Sequence, residues 1–276
     1  MTWSIVARDP ETGFYGIAIA SRFFAVGAIC PWTEAKVGAI STQALVNPTL
    51  GAYGLALLRD GIPATATLEM MMAADQGRAA RQVHLMDATG RTAAYTGADC
   101  VDWAGHRTGE GASVAGNMLA GAAVVEDSLT AYLDNSGLAF VERLLAALDA
   151  GQAAGGDKRG KQSAALVIQG PEPYTRLNMR VDDHAEPFIE LRRLYGVARE
   201  RFIPFSRAFP TPERPYGITD RAVIEKIIER GAGKPLALYP QIPEAGCSPT
   251  APARHHAPHL HQPPPASRPV RPRCPH

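Results

Sequence analysis

Thr2, Ser21 and Arg22 are the residues whose types and spacing first suggest chemistry. A Met followed by a small residue is usually trimmed, so Thr2 is expected to become the mature N-terminus. A terminal threonine carries nucleophile and base on one residue: the hydroxyl attacks and the α-amine takes its proton. The α-amine has an ordinary pKa of about 8, so a useful fraction is neutral near physiological pH. The alternative is that Met-Thr is simply a common start. Ser21 and Arg22 enter through strand pairing. Apolar, β-rich runs at residues 3–7 and 14–20 flank Pro10-Glu-Thr-Gly13. Pro sets φ for a turn and Gly supplies positive φ, so the stretch predicts a hairpin. If Asp9 pairs with Phe14, Thr2 lies opposite Ser21 with Arg22 beside it. A slip of one residue would turn all three to the other face.

Further candidates surround this terminus. Lys36 and Arg22 are cations that would favour a neutral α-amine by repelling its charged form. Gln43 and Asn47 close the strand expected beside the terminus, and an amide there can stabilise an oxyanion. Asn47 can equally start a helix, because Pro48 suits a first helical position. Asn117 ends another strand and is a second candidate for polarising substrate. Asp157, Arg159 and Gln162, with Ser163, sit in or after a Gly-rich loop that reads as a substrate clamp, Arg159 meeting a carboxylate. A solvated turn is the alternative. His84, His106 and His184 are far apart and lack zinc-ligand spacing. The segments at residues 109–114, 111–115 and 231–235 fail as a dinucleotide fingerprint, a nucleophile elbow and a phosphate-binding loop, in that order. Nothing in the sequence implies a cofactor or metal in the ordered part.

The elements that must hold these residues follow from periodicity. Strands are expected at 25–31, 36–42, 82–87, 91–95, 102–106, 112–118, 163–169 and 177–181. Helices are expected at 53–59, 64–74, 122–133, 138–150 and 187–201, with another piece at 220–229. The order is strands, two helices, strands, two helices, strands, helix. That is not βαβ alternation, so it argues for an α+β fold and against a doubly wound parallel sheet. The 276 residues divide into a main domain at 1–203, an appendage at 204–243 and a Pro/His/Arg-rich tail at 244–276 expected to be disordered. A His run at 255–261 is either a metal-binding tract or solvated low-complexity sequence. A net charge of +1 gives no electrostatic case for nucleic acid or an anionic membrane. No apolar run of about 18 residues and no secretory leader are visible, so a cytoplasmic location is expected. Cys30, Cys100, Cys247 and Cys274 are widely spaced and read as free thiols.

Several stretches together carry a family resemblance. They are residues 2–13 and 17–28, Gly38-Ala-Ile-Ser-Thr-Gln-Ala-Leu-Val-Asn-Pro-Thr-Leu-Gly51, Trp103-Ala-Gly-His-Arg107, Gly116-Asn-Met-Leu-Ala-Gly121, residues 155–165 and Leu177-Asn-Met-Arg-Val-Asp-Asp-His184. Over residues 1 to about 235 the chain resembles the DUF1028 family, a group similar to N-terminal-nucleophile (Ntn) hydrolases. The resemblance implies a four-layer αββα sandwich with two stacked antiparallel sheets. It implies the fold more firmly than the substrate; the leading reading is cleavage of an amide or peptide-like C–N bond by Thr2, with no cofactor and a possible homo-oligomer. In proteasome-like relatives a Lys on an inner strand tunes the threonine, a part that Lys36 would play. The Asp that precedes Ser-Arg in that pattern is Ala20 here. The rival reading is a non-catalytic ligand-binding or assembly protein on the same fold.

Overall fold

In the computed structural model, residues 2–236 are described; Met1 and the tail at 244–276 lie outside the described residues. The chain opens with β1 (Thr2–Arg8) and β2 (Tyr15–Ser21). They pair antiparallel with Thr2 opposite Ser21, the register that the turn predicts. The Asp9 N–H donates to Phe14 O at 2.9 Å, and Gly13 takes the positive φ (+71°) the turn needs. Nearly every residue of both strands is buried, as befits strands covered on two faces.

These two strands are the middle of a six-stranded sheet in the order β10-β9-β2-β1-β8-β7. Its other members are β7 (Trp103–Gly109), β8 (Ala112–Leu119), β9 (Ser163–Gln169) and β10 (Thr175–Val181). The second sheet has four strands in sequence order: β3 (Pro31–Glu34), β4 (Gly38–Ala44), β5 (Arg81–Asp87) and β6 (Thr92–Thr96). Every pairing is antiparallel. Helices α1 (Thr49–Arg59) and α2 (Ala64–Ala74) cover the smaller sheet. Helices α3 (Ala123–Asp134), α4 (Phe140–Ala153) and α5 (Pro187–Val197) cover the larger one. The result is the four-layer αββα sandwich.

Alternation along β1 assigns its two faces. Trp3, Ile5 and Ala7 enter the core under α3 and α4, where Trp3 stacks on Phe188 at 5.7 Å between ring centroids. Gly151 is required there, because a Cβ would stand 2.7 Å from Trp3 Nε1. Ser4 and Val6 point the other way, into the layer between the sheets.

The structure differs from the expected elements in three places. Residues 25–31 are not a strand: Ala25 has φ +54°, a short 3-10 turn follows at Val26–Ala28, and extension resumes only at Pro31. Lys36 lies in the β3–β4 turn with φ +63°, and β4 starts two residues later. The helix expected through 201 ends at Val197 and gives way to a π-turn at Ala198–Phe202, followed by α6 (Ile203–Phe205). Residues 204–236 pack on the same compact unit. There α7 (Arg221–Gly231) lies against α6, its Asp220 cap accepting from the N–H groups of Ala222 and Val223.

Candidate functional site

One end of the larger sheet carries a row of polar residues. The pairings Ser21↔Ser163, Thr2↔Ser21 and Thr2↔Asn117 align Ser163, Ser21, Thr2 and Asn117 across β9, β2, β1 and β8. Cross-strand partners share a face, so these four point toward the layer between the sheets. Thr2 Oγ1 donates to Ser21 Oγ at 3.1 Å. Thr2, Ser21 and Asn117 are 6, 1 and 2 % exposed. Ser163 Oγ donates to Phe23 O at 2.6 Å and accepts from the Val26 N–H at 3.3 Å, fixing the segment after β2.

The Thr2 carbonyl is held from below. Asn117 Nδ2 donates to it at 3.3 Å and Gln43 Nε2 at 3.5 Å. Both amides also donate to Gln82 Oε1, at 3.0 and 2.8 Å, and Gln43 reaches Ala115 O at 3.1 Å. Each NH2 has two protons, so both amides are fully used. Neither has a donor left for an oxyanion. In this arrangement Gln43 and Asn117, expected as oxyanion donors, hold the Thr2 carbonyl.

Behind this row the space between the sheets is polar and closed. Ser4, Ser41, Gln43, Gln82, His84 and Ser113 have no solvent exposure. Ser4 Oγ contacts Gln43 Oε1 at 2.7 Å, His84 Nε2 at 2.7 Å and Ser41 Oγ at 3.0 Å. Gln43 Oε1 can only accept, so Ser4 spends its proton there and His84 Nε2 is assigned as the donor to Ser4. His84 Nδ1 then accepts from Ser113 Oγ at 3.0 Å. Burial, reinforced by nearby His106, pushes the His84 pKa down to about 3, so the ring is neutral. Gln82 completes the network: its Nε2, with two protons, lies 2.9, 3.1 and 2.8 Å from Thr96 Oγ1, Gly105 O and Gly116 O and is shared among them. Farther along the same layer the contents turn apolar, with Val6, Tyr15, Ile17, Ala39 and Met86.

The other sequence candidates fall in several places. Arg22 is exposed; its N–H donates to Asp157 Oδ2 at 2.7 Å, while its guanidinium turns to Lys161 O at 3.3 Å and not to Thr2. Asp157 is buried and also holds Arg159, through the Arg159 N–H at 2.9 Å and the guanidinium at 3.3 Å. It thus ties its own loop to β2 and is not presented as a substrate clamp. Gln162 donates its N–H to Ser21 O at 3.1 Å and its side chain to Asp183 at 3.0 Å. Asn47 accepts from the Thr49 N–H and hydroxyl at 3.2 and 2.7 Å, opening α1 as a capping residue would. Lys36 is not beside Thr2. It lies at the opposite end of the strands, lining a cavity with Arg8, Tyr15 and Gly170. A turn with a left-handed residue carries it away from the inner-strand position expected of it.

Ser4, Ser41, Gln82, His84 and Ser113 were not singled out as a group from the sequence. Their signal is there: polar residues two apart inside otherwise apolar strands, as in Ser41/Gln43 and Gln82/His84. Among the described residues, no cluster of three or more His, Cys, Asp or Glu could hold a metal, and no helix is long and apolar enough to cross a membrane.

Comparison with known proteins places the chain. Residues 2–191 match a family of unknown function, DUF1028. A crystal structure of protein SPO2555 from Silicibacter pomeroyi, assigned to the same family, is 33% identical. It covers 79% of this chain and 99% of its own, with a TM-score of 0.74. Anbu (ancestral beta-subunit) from Yersinia bercovieri is 12% identical, covering 71% of this chain and 94% of its own, with a TM-score of 0.35, too low to carry weight. No curated protein matches. With more than half of its length matched by the family model and 33% identity to a solved member over 79% of the chain, the chain belongs to the DUF1028 family.

Proposed function

We propose that the protein is an Ntn-type amide hydrolase whose nucleophile is Thr2, exposed as the N-terminus by removal of Met1. The observation that carries this reading is the Thr2 Oγ1–Ser21 Oγ hydrogen bond at the first position of a central strand, with the Thr2 carbonyl held by two amides. Such a residue has its hydroxyl oriented and its backbone fixed before substrate arrives, which is where much of the advantage of intramolecular geometry lies. In the reaction, the Thr2 hydroxyl proton passes to the α-amine as Oγ1 attacks the carbonyl carbon. The C–N bond breaks, the proton goes to the leaving amine, and an ester on Thr2 remains. Water then attacks the ester, releasing the carboxylic acid and restoring the hydroxyl. Ser21 orients the hydroxyl, Gln43 and Asn117 position the terminus, and Asp157 anchors the segment that begins at Arg22. The substrate class is a small amide or peptide-like molecule, and the setting is cytoplasmic.

The second reading, a non-catalytic binding or assembly protein on the same fold, is favoured by burial. Thr2, Ser21 and Asn117 are nearly inaccessible, and the cavities described among residues 2–236 lie elsewhere. Intact mass and an amide library separate the two. Loss of Met1 together with turnover that disappears in Thr2→Ala supports the enzyme. Retention of Met1 in the isolated protein overturns the Thr2 mechanism.

A further inference from the structure

A cavity of about 830 Å³ lies at the end of the sandwich opposite Thr2. It is bounded by the β1–β2 turn, the β7–β8 turn, the α3–α4 connection and Leu236. Thr2 and Arg8 are the two ends of β1, roughly 20 Å apart at about 3.3 Å per residue, so this is not the site already described.

Arg143 of α4 lines the cavity and is 7 % exposed. Its Nε donates to Tyr132 O at 3.3 Å, and its guanidinium carbon stands 4.1 Å from the Tyr132 ring centroid. Among the described residues no carboxylate lies within ion-pair distance of it. A guanidinium cannot shed its charge at ordinary pH, and a buried charge without a partner is costly. Tyr132 is 1 % exposed, and its hydroxyl has no hydrogen-bond partner. A buried hydroxyl left in that state calls for an explanation. Asp9, also buried, stands at the same cavity and is not ion-paired with Arg143; its Oδ2 accepts from Thr12 Oγ1 at 2.5 Å. Arg8, the other cation there, shares a second cavity with Tyr15, and its Nε has no hydrogen-bond partner.

We propose that this cavity binds a zwitterion, a free amino acid or a short peptide with an apolar side chain. The ligand carboxylate would take the free guanidinium edge of Arg143 and the Tyr132 O–H, the planar fork suiting a bidentate carboxylate. The ligand ammonium would face Asp9. Glu11 and Glu110 add negative charge to the lining, which disfavours phosphates and dicarboxylates and admits a ligand of no net charge. Leu133, Leu138 and Phe140 supply an apolar wall.

The test is calorimetric titration of the full chain with L-leucine and glycyl-L-leucine, with L-leucinamide and inorganic phosphate as controls. Saturable binding of either zwitterion, with both controls at least about tenfold weaker, is expected. Tyr132→Phe, which keeps the ring and its stacking, should weaken binding several-fold, and Arg143→Gln by about tenfold or more. Should Arg143→Gln fail to fold, Tyr132→Phe and Asp9→Asn carry the test. Absence of zwitterion binding, phosphate binding as tight as L-leucine, or equal affinity in Tyr132→Phe and Asp9→Asn would overturn the assignment. Because no Thr2 variant is involved, the result is independent of the hydrolase reading.

Discussion

His84 Nε2 lies 2.7 Å from Ser4 Oγ across the gap between the two sheets, with neither residue exposed to solvent. The pair makes the middle of the sandwich sensitive to acid. Burial holds the His84 pKa at about 3 in the folded protein, against an ordinary 6.5. Below pH about 6.5 the unfolded chain binds a proton that the folded one refuses until pH about 3. Stability from this group is thus intact above pH 6.5 and falls with acidification, by about 1.4 kcal/mol per pH unit. Urea denaturation at pH 7.5 and pH 5 should differ by about 2 kcal/mol through His84 alone. In His84→Gln that slope should shrink by the same amount. His106, lowered by burial and by Arg107, adds a slope of the same sign in both proteins. An unchanged slope in His84→Gln would show that the imidazole is not held neutral.

Gln82 is joined to Gln43, Asn117, Thr96 and the Gly105 and Gly116 carbonyls. Gln82→Leu strips an acceptor from Gln43 and Asn117 and a donor from two backbone carbonyls. Each orphaned buried group costs about 1–3 kcal/mol, so a total loss of about 3 kcal/mol or more is expected in urea denaturation. A loss under about 1 kcal/mol would mean that water enters the layer.

Thr2→Ala should remove turnover and leave the melting temperature within a few degrees, since only one hydroxyl contact is lost. Thr2→Ser should retain part of the activity. Ser21→Ala should lower kcat about tenfold through the lost 3.1 Å hydrogen bond, with KM nearly unchanged. The readout is steady-state kinetics on whichever amide the library yields. Full activity in Thr2→Ala would exclude Thr2 as nucleophile.

Gly51 sets the distance between α1 and β3. A Cβ at this position would stand 2.2–2.3 Å from three atoms of the Trp32 ring. Gly51→Ala gains about 1 kcal/mol of helix propensity but forces the ring away from its Nε1–H···O bond to Ile29. Overpacking costs about 1–3 kcal/mol, so a net loss and a melting temperature lower by a few degrees are expected by calorimetry. A rise would show that Trp32 moves freely.

The hairpin register was legible because Pro10–Gly13 is a turn with a mechanism and both flanking runs are apolar. One pairing then brought Thr2 to Ser21. The neighbourhood of Asn117 could be named only as a strand end, since its partner strand lies far away in sequence. Lys36 was misplaced because nothing about a lysine announces a left-handed φ. The Ser4–His84 layer escaped for a different reason. Polar residues on alternate strand positions ordinarily mean a solvent face, and only the second sheet turns that face inward. The four layers themselves were read from family resemblance, periodicity alone giving α+β.

The two neighbours of β1 are very unequal in sequence: Ser21 is 19 residues from Thr2 and Asn117 is 115. On the ribosome the hairpin can close almost at once. The Asn117 side of Thr2 stays open until roughly a hundred further residues have been made, on the order of 5–20 seconds at about 5–20 residues per second. During that interval β1 is paired on one edge only. Once β8 docks, the same residues are sealed. Under the proposed Thr2 mechanism, order of synthesis as much as the finished fold would set when Met1 can be removed.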